Sequence, residues 1–385
     1  MALLAYGLSC FASVILNVCF YALFWQNLIL EVGNMKINNK APVLVTGATG
    51  YVAGVLIKTL LAKGLTVHAS VRDVKNRDKL KYLIELDEVS PGTIRFFEAD
   101  LLEEGSYCEA MENCELVYHT ASPFKINIED AQKELIDPAL LGTRNVLNTA
   151  SATSSVKRVV LTSSCAAIYG DNYDLKTLTQ TLFTEEHWNM SSSMTHQAYS
   201  YSKTLAEKEA WRLYEAQKRW DLVVLNPSLV AGPGINPFGT SESFNLIKQF
   251  GDGRMKAGVP NFALGVVDVR DLAQAHYLLG FTSEAQGRHI ISGHNTSLKQ
   301  MASTLIDKFG DEYPIPKKLV PKWLVWLFGP LADKSVTRKM VSLNMNYPWL
   351  ADNTKSKKLG VQYRPLAETM NDFFQQMVEN QYFKK

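Results

Sequence analysis

The sequence predicts an α/β fold, an open parallel sheet wound on both faces by helices, with a smaller C-terminal lobe. Three observations carry this. Short apolar, β-branched runs alternate with segments of helical periodicity between residues 41 and 226, the pattern that parallel strands joined by crossover helices produce. The first run breaks into a glycine-rich turn, APVLVTGATGYVAG at 41–54. Later runs end in small or hydroxyl residues, as in LVYHTAS and RVVLTSS, and the carboxyl edge of such a sheet is where ligands bind.

Length and charge bound the rest. At 385 residues the chain can hold one large α/β domain or two smaller ones around a substantial core. Lys+Arg 40 against Asp+Glu 38 leaves +2, and no basic patch or repeat points to nucleic acid. The five cysteines are odd in number and lack metal-ligand spacing, so neither a disulfide framework nor a metal site is expected. Ala2 to Leu30 is a stretch of its own, without one charged side chain and longer than the roughly 20 residues that span a bilayer. It reads as a membrane helix. Lys36 and Lys40 follow it, which would keep the rest of the chain on the cytosolic face. A start at Met35, giving a soluble cytoplasmic protein, and a cleaved signal peptide are the other readings.

Taken in order, the first strand ends in Gly47-x-x-Gly50-x-x-Ala53. Glycines there let the backbone wrap a pyrophosphate, and the helix that follows points its unpaired N–H groups at it. That helix, Val52 to Lys63, stops at Gly64, and Leu65 to Val71 is a second strand ending in Arg72-Asp73. Roughly 20 residues past the glycines is where such a fold selects the adenosine ribose. An acid there, Asp73, would suit the 2′-hydroxyl of NAD, and a guanidinium the 2′-phosphate of NADP; Arg72, supported by Lys79, is favoured as the reader. Strands follow at Ile94–Ala99, closed by Asp100-Leu101, and at Leu116–Thr120, running into Ala121 and Ser122. Asp137 to Ala150 is helical, and Arg158 to Ser164 is the fifth strand.

Chemistry enters with Tyr199 and Lys203 in AYSYSKTLAEKEAW. Spacing of four places both on one helical face. A nearby ammonium favours the phenolate and lowers the tyrosine pKa. A serine from the end of the fifth strand can bond the substrate oxygen, and Ser164 is preferred to Ser163. Tyr201 lacks the helical offset from Lys203. Between the fifth strand and this helix, Asp171 to Gln197 is a long insert expected to form part of a substrate lid; its His187 and His196 read as structural. The sixth strand, Asp221–Asn226, enters the turn at Pro227 and Ser228. Farther on, Asp268 and Asp271 read as a cap and a salt bridge, Arg288–Ser292 as a seventh strand, and Leu319–Leu331 as an apolar roof over the pocket, preferred to an interfacial helix on a membrane surface. A final helix is expected to bury Met370, Phe373, Phe374 and Met377.

Taken together, VTGATGYVA, SVRD, ADL, VYHTASP, VVLTSS, YSYSKTLAEKEAW and LNPSLVAGP resemble the extended short-chain dehydrogenase/reductases. Within that superfamily the similarity is greatest to the dihydroflavonol reductase and cinnamoyl-CoA reductase group. The resemblance implies a Rossmann fold and a catalytic Ser164, Tyr199 and Lys203. It further implies that Gly47, Gly50 and Tyr51 hold the pyrophosphate, Arg72 and Lys79 the 2′-phosphate, Asp100 and Leu101 the adenine, and Thr120, Pro227 and Ser228 the nicotinamide end. Tyr199 and Lys203 would also meet the cofactor, with Ser122 and Tyr169 lining the substrate cleft. Residues 36–385 would then be one reductase domain, its nucleotide part mainly 40–232 and its substrate lobe mainly 170–198 and 233–385, preceded by the hydrophobic segment 1–35. The expected activity is NADPH-dependent reduction of an aldehyde or ketone. An NAD-dependent epimerase, dehydratase or steroid-type dehydrogenase, and a non-catalytic nucleotide-binding subunit of a membrane complex, are the alternatives.

Overall fold

The computed structural model describes residues 36–122 and 130–383. The apolar runs become β1 (Val43–Val45), β2 (Thr66–Val71), β3 (Thr93–Glu98), β4 (Leu116–His119), β5 (Arg158–Thr162), β6 (Asp221–Pro227), β7 (Leu229–Ala231), β8 (Ala263–Asp268), β9 (Gly287–Ile291) and β10 (His294–Ser297). Seven of them build one sheet of order β9-β6-β5-β4-β1-β2-β3, with every neighbouring pair parallel. The strand order reverses between β1 and β4, and a ligand crevice opens at such a switch point. A smaller sheet, β10-β8-β7, lies in the C-terminal part.

Alternation of side chains along β1 divides the core. Val43 and Val45 face one layer with α1 (Tyr51–Ala62), where Leu56 and Leu60 are fully buried. Leu44 faces the other with α3 (Asp137–Ala152) and α4 (Ala198–Glu215), through Val146, Leu147 and Ala210. Strands covered on both faces need to be apolar throughout, and VLV is. Between β2 and β3 lies α2 (Arg77–Val89), a helix not singled out in the sequence, started by Asn76, whose side chain accepts from the Lys79 amide.

The C-terminal lobe has its own core. Phe244, Ile247, Met301 and Phe309 meet Met370, Phe373, Phe374 and Met377 of α7 (Leu366–Glu379), the four residues expected from periodicity. Asp268 caps α5 (Val269–Phe281) by accepting from the Arg270 amide at 2.8 Å, and Asp271 pairs with Arg364. Both acids are therefore structural. The helix within the apolar 319–331 stretch is α6 (Lys322–Ala332); none of its residues is buried, and Trp323 is 64% exposed. It has eleven residues and contains Pro330, far short of a bilayer span. Residues 2–30, with the membrane helix expected there, lie outside the described residues. Among the described residues no helix is long and apolar enough to cross a membrane.

Candidate active site

The switch point is built from the glycine-rich turn. Gly47 has φ +66°, and a Cβ added there would come within 3.0 Å of the Ala121 Cβ, so both backbone and space require glycine. A Cβ on Gly50 would sit 3.1 Å from the Gly47 carbonyl oxygen. Thr46 fixes the neighbouring loop: its Oγ1 accepts from the amides of Thr120 at 3.1 Å and Ala121 at 3.0 Å. In return the Thr120 hydroxyl donates to the Thr46 carbonyl at 2.5 Å. Backbone thus lies where a bound pyrophosphate would approach, at the start of a twelve-residue helix whose first N–H groups have no partner within the helix. These residues fit a dinucleotide.

The Tyr51 side chain is engaged within the protein. Its ring packs against Phe244 and Phe373, with centroids 5.3 and 6.1 Å away, and its hydroxyl donates to the Gly232 carbonyl at 2.6 Å. Only its main-chain N–H is left to meet a phosphate. Arg72 and Lys79 are exposed beyond the end of β2, free of enclosing structure. The Asp100 carboxylate accepts from the Leu102 amide at 2.8 Å, while Asn145 holds the carbonyls of both Asp100 and Leu101. Leu101 packs over Gly142 of α3, where a Cβ would meet it at 3.0 Å.

At the carboxyl end of β5 and the start of α4, Ser164, Tyr199 and Lys203 come together. The Ser164 and Tyr199 hydroxyls share a hydrogen bond, and Lys203 Nζ lies 5.9 Å from the centre of the Tyr199 ring. Lys203 donates to Ser122 Oγ at 2.9 Å. Electrostatics depart from the sequence expectation. Burial pushes the Tyr199 phenol up to about 12, with the Ser164 bond pulling the other way. Burial also brings the Lys203 ammonium down to about 8, opposed by the Glu207 carboxylate. Nearby His119 bonds Thr46 Oγ1 through Nδ1 at 3.0 Å. Burial, then Lys203, hold its pKa near about 3, so it is neutral in this site.

Tyr169 stacks on Phe183 at 5.0 Å and meets Trp349 at 5.8 Å, within an aromatic cluster under the insert. Ser228 donates its amide to the Ile291 carbonyl at 3.1 Å, and Pro227 closes β6. His187 Nδ1 accepts from the Thr184 amide, and His196 Nε2 bonds Asp171 at 2.6 Å; both serve the insert. Ser163 turns away from Tyr199 and donates to Glu207 at 2.5 Å. Glu207, Asn226 and Arg288 were not singled out as site residues in the sequence reading. Glu207 had a usable signal, since it stands four residues after Lys203 and so on the same helical face.

With fold and site in place, comparison with known proteins defines the class. The chain belongs to the NAD dependent epimerase/dehydratase family, whose sequence model matches residues 43–291. Within it, the similarity is to plant reductases of the dihydroflavonol and cinnamoyl-CoA reductase group. A cinnamoyl-CoA reductase of Medicago truncatula is 33% identical over 88% of this chain and 96% of that protein. An anthocyanidin reductase of Arabidopsis thaliana is 35% identical over 69% of this chain and 79% of its own length. The structure resembles Gre2 of Candida albicans in complex with NADPH, at 28% identity and a TM-score of 0.69, covering 88% of this chain and 99% of that one. These matches overturn the membrane-anchored placement. Nearly the whole of a relative is accounted for by the reductase fold, and no described helix can cross a bilayer.

Proposed function

We propose that this oxidoreductase uses NADPH to reduce an aldehyde or ketone at the group formed by Ser164, Tyr199 and Lys203. The observation that carries the reading is the meeting of these three side chains at the sheet edge beside the glycine cradle, although Ser164 and Lys203 come from different elements. Gly47, Gly50 and the Tyr51 amide would hold the pyrophosphate, Arg72 and Lys79 the 2′-phosphate, Asp100 and Leu101 the adenine, and Thr120, Pro227 and Ser228 the nicotinamide end. When bound, NADPH supplies the hydride that reduces the carbonyl carbon.

The chain's own residues do the rest. Ser164 orients the carbonyl oxygen by hydrogen bonding. Tyr199, kept protonated by burial, gives its phenolic proton to that oxygen as negative charge develops. Lys203 holds a positive charge beside the pair, which stabilises the phenolate left behind, and it is placed to grip a ribose hydroxyl. Residues 40–232 would form most of the nucleotide part, with 170–198 and 233–385 forming the substrate lobe.

The test is to follow NADPH and NADH consumption against a panel of aldehydes and ketones, with Lys203→Ala as the blank. Faster NADPH oxidation, lost in the blank, is expected. Arg72→Ser should narrow the preference for NADPH at least tenfold by removing a charge-assisted phosphate contact; a wild-type enzyme that binds NADH far more tightly would overturn the Arg72 role.

A further inference from the structure

The Glu207 carboxylate is fully buried, one turn past Lys203 on α4. Four donors converge on it: Ser163 Oγ at 2.5 Å, Asn226 Nδ2 at 2.7 Å, Arg288 Nε at 2.5 Å and Trp211 Nε1 at 3.3 Å. A charge taken out of water needs such partners. Their identity is the informative part. Ser163 precedes Ser164, and Asn226 Nδ2 also donates to the Ser164 carbonyl at 3.1 Å. Arg288, rising from β9, donates further to the carbonyls of Glu185 at 2.9 Å and His187 at 2.5 Å. Its guanidinium lies 4.0 Å from the centre of the Trp188 ring. One carboxylate therefore joins the helix of Tyr199 and Lys203, the serine strand and the EEHW segment of the insert.

We propose that Glu207, partnered by Arg288, is the positioning residue that keeps Lys203 charged and ties the 184–188 segment of the insert to the reacting group. This rests on the reading of Ser164, Tyr199 and Lys203 given above. Lys203 is faced by Tyr199 and Glu207 on its own helix, by His119 from β4 and by Ser122 from the following loop, with Arg288 of β9 beyond Glu207. Of these, Glu207 supplies the opposing charge. A carboxylate at this point favours the ammonium over the amine, and without it the lysine loses its proton at lower pH.

The test compares wild type, Glu207→Gln and Glu207→Asp by NADPH fluorescence titration from pH 6.5 to 10, alongside kcat with the carbonyl compound that the panel identifies. For Glu207→Gln, the alkaline midpoint of both NADPH affinity and kcat is expected to move down by about one pH unit. Glu207→Asp, which keeps the charge, should retain the wild-type midpoint. Equal loss at every pH in Glu207→Gln, with one shared midpoint, would overturn the proposal. If Glu207→Gln does not fold, Arg288→Lys decides: amide hydrogen exchange across 184–188 should quicken at least tenfold. Unchanged exchange would overturn the proposal. Failure of the underlying catalytic reading shows separately, as a Tyr199→Phe enzyme that still reduces the carbonyl compound.

Discussion

As the proposed acid, Tyr199 keeps its proton through burial, and this direction of shift suits a reduction in which the tyrosine would donate. The sequence alone led to the opposite expectation, that the lysine would draw the phenol toward neutrality. It did not include the cost of enclosing a phenolate between β5 and α4, which only packing reveals. Lys203 pays a similar cost, so its ammonium is held only up to about pH 8 instead of the ordinary value of about 10.4. Below that pH the positive charge is present, and as pH rises through it the charge is lost and the phenolate would no longer be stabilised. The kcat for carbonyl reduction is therefore expected to be level from pH 6 to 7 and to fall with a midpoint near 8. A plateau reaching pH 10 would show that Lys203 is not the titrating group.

At the scale of elements, the β1–α1 turn and the first turns of α4 would, in the proposed reaction, divide the work between phosphate and proton. Gly47→Ala would force a side chain into positive φ, at roughly 1–2 kcal/mol, and bring its Cβ within 3.0 Å of Ala121. NADPH affinity is expected to drop at least tenfold in a fluorescence titration, with circular dichroism unchanged; wild-type affinity would remove the turn from the binding site. These two elements were legible because their signals are local. Glycine spacing marks a turn, and an offset of four marks a helical face. The insert and the Glu207–Arg288 pair were not legible to that degree. Arg288 reaches Glu207 only because β9 lies beside β6 in the sheet, and strand order leaves no local trace. For Tyr51 and Tyr169 the motif position fixes where the backbone runs, whereas the ring follows the apolar surface available, here Phe244 and Phe373 for one and Phe183 and Trp349 for the other.

Across the whole molecule, the C-terminal lobe meets the start of α1 through the Phe244 and Phe373 rings, which pack on Tyr51. Phe373 of α7 is fully buried, meets Phe244 at 4.7 Å and stacks on Tyr51, the first residue of α1. Phe373→Ala is expected to cost about 3–5 kcal/mol in denaturant unfolding and, by loosening the start of α1, to weaken NADPH binding as well. Loss of stability with unchanged affinity for NADPH would separate the two lobes. The central claim, that the fold presents NADPH to a carbonyl at Ser164, Tyr199 and Lys203, is tested most directly by carbonyl-dependent NADPH oxidation in wild type and Tyr199→Phe. Removing the phenolic hydroxyl should lower kcat by about 10²–10⁴-fold while NADPH still binds. A Tyr199→Phe enzyme that turns over at the wild-type rate would contradict the account.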